Sequence, residues 1–328
     1  MKDYELNILD QYDIEVSSTH KTRGAILCDT NQGLLLLKES KLSARRVPML
    51  ERIYSHIEAS GNKMIDRPVK NREGEIISSL EDGTRYALKR WFTGRECDVR
   101  RESEILEGIR NLARLHNIMV FDERTDGYCD ISLKEEYLRH NRELKKTRTF
   151  IRGKTPKGDF ELAFLECFNS MYLWASDVVQ RLEESQCDRL YEESLEVGKV
   201  VHGEYNYHNI LFTGEGTATT NFDHFYIDIQ ASDLYYFMRK VLEKHHWNEY
   251  LGREMIKEYR QIKPLSDAEL EYVAIRLAYP EKFWKGANTY YNSNKAWISA
   301  KSVEKLHVSI KQMEEKREFL KNILSFNL

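Results

Sequence analysis

A change of periodicity near residue 94 divides the sequence into a part that favours strands and a part that favours helices. Before residue 94, short runs that favour extended structure, at 15–18, 25–28 and 34–38, are separated by turn residues. Asp82-Gly83 lies between two further extended runs and is a strong hairpin signal. Because strands come first and helices follow, the sequence predicts an α+β fold.

Helical spacing of apolar residues predicts one helix in the first part and several long helices in the second. The first helix begins near Pro48, which suits an initial helical position, and Gly61 supplies its C-terminal cap. The later helices are predicted at residues 101–117, 133–152, 159–184 and from 232 onwards, with Ser232 as an N-cap. We therefore expect two lobes. Residues 1–93 should form a small antiparallel sheet with one helix, and residues 94–328 a larger, mainly helical lobe.

Composition and charge argue against several classes of partner. The formal net charge is -3 and the pI is near 6.4, so the electrostatics do not favour nucleic acid. The apolar runs are too short to cross a bilayer, and the first residues lack the apolar core of a signal peptide. The five cysteines form no C-x-x-C pair, which favours a reduced compartment without structural zinc. The sequence thus predicts a cytoplasmic protein that contacts neither nucleic acid nor membrane.

Residues 202–211 and 221–223 carry the residue types that phosphoryl transfer from ATP requires. The reaction needs a carboxylate near the attacking hydroxyl and oxygen ligands that hold Mg²⁺ on the phosphates. Glu204 supplies a carboxylate in this loop, while Asn209 and Asp223 supply oxygen ligands. This order and spacing favour an ATP-dependent transfer to a hydroxyl group.

The same residues resemble the loop H-G-D-x-x-x-x-N and the metal-binding Asp of the aminoglycoside phosphotransferase and choline kinase superfamily. Residues 112–116 resemble the helix L-A-x-L-H of that superfamily. The resemblance implies a two-lobed protein kinase-like fold, ATP and Mg²⁺ as cofactors, and a small-molecule hydroxyl as substrate. It also implies that Glu204 is the catalytic base, that His202 holds the loop backbone, and that Asp233 braces the loop.

The resemblance implies residues for the nucleotide as well. Lys38, at the end of a run of leucines, resembles the strand lysine that contacts the α- and β-phosphates, and Glu51 is its expected ion-pair partner. Arg23 lies in the loop 17–24 that would cover the nucleotide. Two features depart from the superfamily pattern: Glu204 replaces an Asp, and the loop 17–24 contains one glycine rather than a glycine-rich run. The extra methylene of Glu moves the carboxylate by about 1 Å, and such a displacement can cost ~100-fold in rate.

Further stretches resemble the spore coat branch of the superfamily, the CotS family. They are residues 94–97, 139–144, 221–240 and 290–297. Two functions remain open. The favoured one is a phosphotransferase that acts on a small-molecule hydroxyl in the sporulating mother cell. The other is a weak or inactive kinase-like scaffold that assembles with other coat proteins. Lys38, Asn209 and Asp223 favour nucleotide binding, whereas Glu204 and the glycine-poor loop favour the scaffold.

Two other features have open interpretations. An aromatic group in the last quarter of the chain either packs helices or forms a cage for a cationic substrate. Its members are Trp284, Tyr290, Tyr291 and Trp297. The basic run of the helix at 133–152 is either a solvated face or a docking surface for an acidic coat partner.

Overall fold

Two units make up the structure, a computed structural model. It describes residues 3–22, 24–122, 124, 127–128, 131–293 and 300–328. The first unit comprises residues 1–120 and 200–226, and the second comprises residues 121–199 and 227–328. Residues 94–120 therefore pack with the first unit, although the sequence assigned them to the second lobe. The lobe boundary at residue 93 stays a prediction.

A five-stranded antiparallel sheet dominates the first unit. Its strands are β1 (Val16–Thr22), β2 (Ala25–Thr30), β3 (Gly33–Glu39), β4 (Ser78–Ser79) and β5 (Arg85–Arg90). Their order across the sheet is β1-β2-β3-β5-β4. The predicted hairpin at Asp82-Gly83 is confirmed, since it joins β4 to β5 and Gly83 has a φ of 83°. The antiparallel sheet in the first part of the chain confirms the predicted α+β class.

The two faces of this sheet carry different chemistry. Leu35, Leu37 and Leu88 pack against the N-terminal 3-10 helix, Asp3–Gln11, in one apolar cluster. Since successive side chains of a strand point to opposite faces, Lys38 and Lys89 lie on the other face. The register agrees, because Lys89 pairs with Leu36 and Lys38 pairs with Ala87. Two lysines of neighbouring strands thus share one side of the sheet.

Two helices and a smaller sheet complete the first unit. The helices are α1 (Val47–Ala59) and α2 (Glu102–Ile118), and both agree with the predicted positions. Gly61 follows α1 with a φ of 92°. The smaller sheet has the order β6-β8-β9. The remaining strands are β6 (Gly94–Glu96), β7 (Val200–Val201), β8 (Ile210–Thr213), β9 (Gly216–Thr219) and β10 (Tyr226–Ile227).

The described part of the second unit is mainly helical. Its helices are α3 (Leu133–Gly153), α4 (Asp159–Glu184), α5 (Cys187–Val197), α6 (Ala231–Leu242), α7 (Glu249–Ile262), α8 (Asp267–Ala278), α9 (Glu281–Asn292) and α10 (Ala300–Leu324). The predicted helices at 133–152 and 159–184 are confirmed. The predicted cap is wrong: Gln230 is the N-cap of α6, and Ser232 is buried inside its first turn. Among the described residues, no helix is both long enough and apolar enough to cross a bilayer.

The aromatic residues of α9 pack against other helices of the second unit. Tyr290 is 4% exposed and its ring stacks on Phe160, with centroids 4.8 Å apart. Trp284 stacks on His140 at 3.4 Å. These contacts support the packing interpretation rather than a cage. Trp297, the remaining member of the predicted group, lies outside the described residues.

A buried carboxylate at the start of α2 should make the stability of the first unit pH-dependent. Glu104 accepts two hydrogen bonds from Arg95, at 2.7 and 2.5 Å, and one from the Asp98 amide at 2.9 Å. Its bonds to Arg95 outweigh the effect of burial and lower the pKa of Glu104 to about 2. Because the pKa of Glu104 is lower in the folded state than in the unfolded state, ~4.3, its ionised form stabilises the fold. This stabilisation is complete above the unfolded pKa and is lost as the pH falls towards 2.

We therefore expect Glu104→Gln to cost about 1–2 kcal/mol at neutral pH, since Arg95 is half exposed and its ion pair is partly screened. The difference between variant and wild type should shrink as pH falls from 4.5 to 2. Urea unfolding at several pH values measures it. Glu73→Gln is the matched control, because Glu73 is exposed. A difference that stays constant over this range would contradict the assignment.

Candidate functional site

The loop between β7 and β8 is held by hydrogen bonds of His202. Its Nδ1 accepts from the Glu204 amide at 3.2 Å, so the proton is assigned to Nε2, which donates to the Thr220 carbonyl at 2.9 Å. His202 is 1% exposed. These bonds tie the loop to the segment that follows β9, and the role of His202 in the reaction stays a prediction.

Asn209 joins the same loop from its C-terminal end. Its amide Nδ2 donates to the Glu204 carbonyl at 2.8 Å, and its own carbonyl accepts from the Thr220 amide at 2.9 Å. The loop that contains Glu204 is therefore fixed at both ends by side chains and backbone of the first unit.

A chain of hydrogen bonds joins three side chains at the centre of the site. Lys38 Nζ donates to Asn221 Oδ1 at 3.1 Å, and Asn221 Nδ2 donates to Glu204 Oε2 at 2.9 Å. His224 Nε2 lies 3.6 Å from the same Glu204 oxygen. Asn221 adopts a left-handed conformation, with a φ of 68°, and its backbone amide donates to Asp66 Oδ2 at 2.8 Å. The side chain between the strand lysine and the loop acid is thus an amide, not a carboxylate.

Asp223 belongs to a separate buried ionic cluster, which we call the Lys89 triad: Lys89, Asp66 and Asp223. Lys89 Nζ donates to Asp223 Oδ1 at 2.7 Å and lies 3.4 Å from Asp66 Oδ2. The side chains of Lys89 and Asp66 are 2% exposed. Tyr54 donates to Asp66 Oδ1 at 2.8 Å. A buried charge is stable only when it is paired, and here one ammonium serves two carboxylates.

The triad shifts the pKa of each member. Burial disfavours ionisation of Asp223, but attraction by Lys89 and the bond from it prevail, so the pKa of Asp223 is lowered. For Asp66, burial prevails over Lys89 and the pKa is raised. The two carboxylates outweigh burial at Lys89 and raise the pKa of its ammonium. The two carboxylates therefore favour the charged form of Lys89.

The predicted partner of Lys38 is wrong. Glu51 forms an ion pair with Lys70, while Lys38 donates to Asn221. The physical reason is that the inward face of α1 carries Tyr54, which is fully buried, and Glu51 points to the partly exposed side. The acid on the lysine face of the sheet is Asp66, which follows α1 in the chain.

Two further predicted residues stay predictions. Arg23 lies outside the described residues. Asp233 is 1% exposed and lies in the first turn of α6, where a carboxylate is favourable at a helix N-terminus. It belongs to the second unit, whereas the loop of Glu204 belongs to the first.

The pairing of Asp223 does not fit the Mg²⁺ site that the sequence predicted at Asn209 and Asp223. Mg²⁺ takes an octahedral shell of oxygen ligands at about 2.0–2.1 Å, including one or two carboxylates. Here Asp223 accepts from Lys89, and Asn221 accepts from Lys38. Across the described residues, no group of three or more His, Cys, Asp or Glu side chains is arranged to hold a metal ion.

Lys89, Asp66 and Asn221 were not recognised in the sequence. The alternation of side chains along the strand could have pointed to Lys89. It places Lys89 on the opposite face from Leu88, where a lysine must be either exposed to solvent or paired with an acid. Asn221 and Asp223 flank Phe222, so either could have faced the loop. No local pattern marks Asp66, because it lies in an irregular segment between α1 and β4.

Comparison with known families identifies relatives in the spore coat. A family described as "Spore coat putative kinase YutH" matches residues 5–323. Spore coat protein S of Bacillus subtilis (strain 168) is 22% identical over 303 residues, which cover 89% of this chain and 84% of that protein.

Solved structures of phosphotransferases have the same fold. An aminoglycoside phosphotransferase from Alicyclobacillus acidocaldarius subsp. acidocaldarius DSM 446 is 17% identical with a TM-score of 0.86, over 98% of this chain and 95% of that one. The amicoumacin kinase hAmiN, solved in complex with AMP-PNP, Ca²⁺ and Ami, is 14% identical with a TM-score of 0.62, over 97% of this chain and 92% of that one. A choline/ethanolamine kinase family protein from Mesorhizobium loti is 13% identical with a TM-score of 0.55, over 99% of both chains. The predicted kinase-like fold is confirmed.

Proposed function

Because the chain belongs to the YutH family of spore coat kinase-like proteins, we propose that it is a coat component whose kinase fold binds a nucleotide without efficient phosphoryl transfer. One observation carries the proposal: Asn221, an amide, occupies the position between Lys38 and Glu204. Phosphoryl transfer depends on cations held at the phosphates by carboxylates. With Asp223 paired to Lys89, Glu204 is the carboxylate left at the centre of the site.

Nucleotide binding remains part of the proposal because Lys38 is retained on its strand. Its ammonium can attract phosphate oxygens, and it is hydrogen-bonded to a neutral amide rather than neutralised by an acid. Solved relatives of the fold include a kinase with AMP-PNP and one with AMP. We further propose synthesis in the cytoplasm of the mother cell, followed by incorporation into the coat beside other coat proteins.

A second candidate is a phosphotransferase that acts on a small-molecule hydroxyl, and the exposure of Glu204 favours it. The Glu204 side chain is 39% exposed, so an acceptor could reach it. In that reaction the acceptor oxygen would bond to the γ-phosphorus of ATP, ADP would leave, and Glu204 would take the hydroxyl proton.

Labelled ATP and a panel of sporulation-stage metabolites distinguish the two. We expect ATP to raise the unfolding free energy by about 2.7 kcal/mol at 100 times Kd, with no labelled product above background. Lys38→Met should abolish the stabilisation, whereas Lys41→Met, at an exposed position, should keep it. Product formation that Glu204→Gln abolishes would establish the phosphotransferase. Absence of any ATP effect would remove nucleotide binding from the proposal.

Restoring carboxylates is the corresponding gain-of-function test. The double variant Asn221→Asp, Glu204→Asp has an aspartate carboxylate at both positions, in place of the amide of Asn221 and the longer side chain of Glu204. We expect ATP hydrolysis in the presence of Mg²⁺ to rise at least about tenfold over wild type, because Asn221→Asp supplies a carboxylate that can hold the cation at the phosphates and Glu204→Asp shortens the second acid. Glu204→Asp alone should give little gain. Equal activity of wild type and double variant would contradict the role given to Asn221.

A further inference from the structure

The Lys89 triad places an ammonium group beside Asp223, the carboxylate that the sequence predicted as a Mg²⁺ ligand. The Lys89 ammonium is 2.7 Å from Asp223 Oδ1 and 3.4 Å from Asp66 Oδ2. It is supplied by β5 of the main sheet and is shielded from solvent, with 2% of its side chain exposed. A protein side chain therefore neutralises the carboxylate that was expected to bind Mg²⁺.

A divalent cation would have to compete with this ammonium. To bind Asp223 it must displace a hydrogen-bonded cation from a buried position, and Lys89 cannot leave without exposing Asp66 as an unpaired charge. If Lys89 stayed, the two cations would repel each other at short range in a medium of low dielectric. After Lys89, Lys38 is a second positive charge that lowers the pKa of Asp223, so it too would repel a divalent cation at this carboxylate.

We propose that Lys89 replaces the divalent cation of the site, so that this chain binds the phosphate groups of a nucleotide without a metal ion. The inference rests on the proposed nucleotide binding and deepens it. Lys89 offsets part of the negative charge of Asp66 and Asp223, and Lys38, which is hydrogen-bonded to a neutral amide, is left to attract the phosphates without Mg²⁺. Lys89 itself does not touch the ligand, because it is buried; it is a positioning residue that holds Asp223 and the segment around Asn221.

Nucleotide binding with and without metal gives the first test. The unfolding midpoint of the wild-type chain should rise with ADP by the same amount in excess Mg²⁺ and in excess EDTA. An ADP shift that EDTA abolishes would overturn the proposal, and its loss in Asp223→Asn as well would identify Asp223 as the metal ligand. This comparison uses the folded wild-type protein, so it does not depend on any variant of Lys89.

A titration with Mn²⁺ alone, followed by electron paramagnetic resonance, tests the site without nucleotide. Wild type should leave Mn²⁺ free. Lys89→Met combined with Asp66→Asn removes the ammonium and one carboxylate, and it should gain Mn²⁺ binding that a further Asp223→Asn abolishes. Mn²⁺ binding by wild type that Asp223→Asn removes would overturn the inference. If the double variant binds no Mn²⁺ although it is folded, the inference is also wrong, because Asp223 would then not be a ligand that Lys89 blocks.

The outcomes separate this inference from the proposed function. Phosphoryl transfer by wild type would overturn the proposed function, whereas Asp223-dependent Mn²⁺ binding would overturn the role of Lys89. If the chain binds no ADP but gains Mn²⁺ binding when Lys89 is removed, the proposed nucleotide binding is wrong. The assignment of Lys89 as the group that takes the place of the divalent cation is then retained.

Discussion

Replacing Lys89 with methionine should lower the free energy of unfolding of the first unit by about 3–5 kcal/mol. Methionine keeps the length and the apolar stem of lysine, so the packing changes little. What is lost is the ammonium, and Asp66 and Asp223 are then left as uncompensated carboxylates in a buried place. Native proteins are stable by only ~5–15 kcal/mol in total, so the loss is a large fraction of the whole.

Native-state hydrogen exchange at the amides of β3 and β5 measures this loss in the first unit alone. Lys21→Met is the matched control, because Lys21 is exposed on β1 of the same sheet, and it should change the free energy by less than about 0.5 kcal/mol. Adding Asp66→Asn and Asp223→Asn to Lys89→Met should recover part of the loss, since neutral groups replace the unpaired acids. A loss below about 1 kcal/mol in the single variant would show that the triad is not buried as described.

The fold was predictable because local and global signals agree. The turn at Asp82-Gly83 and the helix limits at Pro48 and Gly61 each depend on residues adjacent in sequence. The helices at 133–152 and 159–184 follow from apolar spacing over many turns. The cap of α6 was missed, because Ser232 is a favourable N-cap by residue type, while burial of the first turn places it inside the helix instead.

The site was predictable in position but not in its pairings. The sequence motifs grouped Lys38, Glu204, Asn209 and Asp223 in one predicted site. They did not determine which lysine pairs with which carboxylate. That choice depends on strand register and on the irregular segment that brings Asp66 to Lys89. Such long-range choices are set by tertiary packing and leave no local pattern.

The close approach of two backbone segments at Gly203 gives the loop of Glu204 little freedom. Gly203 has a φ of 80°, a region that L-residues with a side chain rarely adopt. A Cβ atom added there would lie 2.1 Å from the carbonyl oxygen of His224 and 2.8 Å from its carbonyl carbon. Since both contacts are with backbone atoms, neither can be relieved by rotating a side chain. Glycine is therefore required by space as well as by conformation.

Gly203→Ala should cost about 2–6 kcal/mol, the sum of ~1–3 kcal/mol for left-handed strain and ~1–3 kcal/mol for forced displacement of packed atoms. It should also separate His224 from Glu204 and so abolish any stabilisation by ATP. Gly83→Ala is the matched control: its φ of 83° is nearly the same, but no atom lies within 4 Å of an added Cβ. We expect this control to show the strain alone, at least about 1 kcal/mol less than Gly203→Ala. Urea unfolding and hydrogen exchange of both variants measure the difference, and equal losses would mean that the segments at 203 and 224 are not in contact.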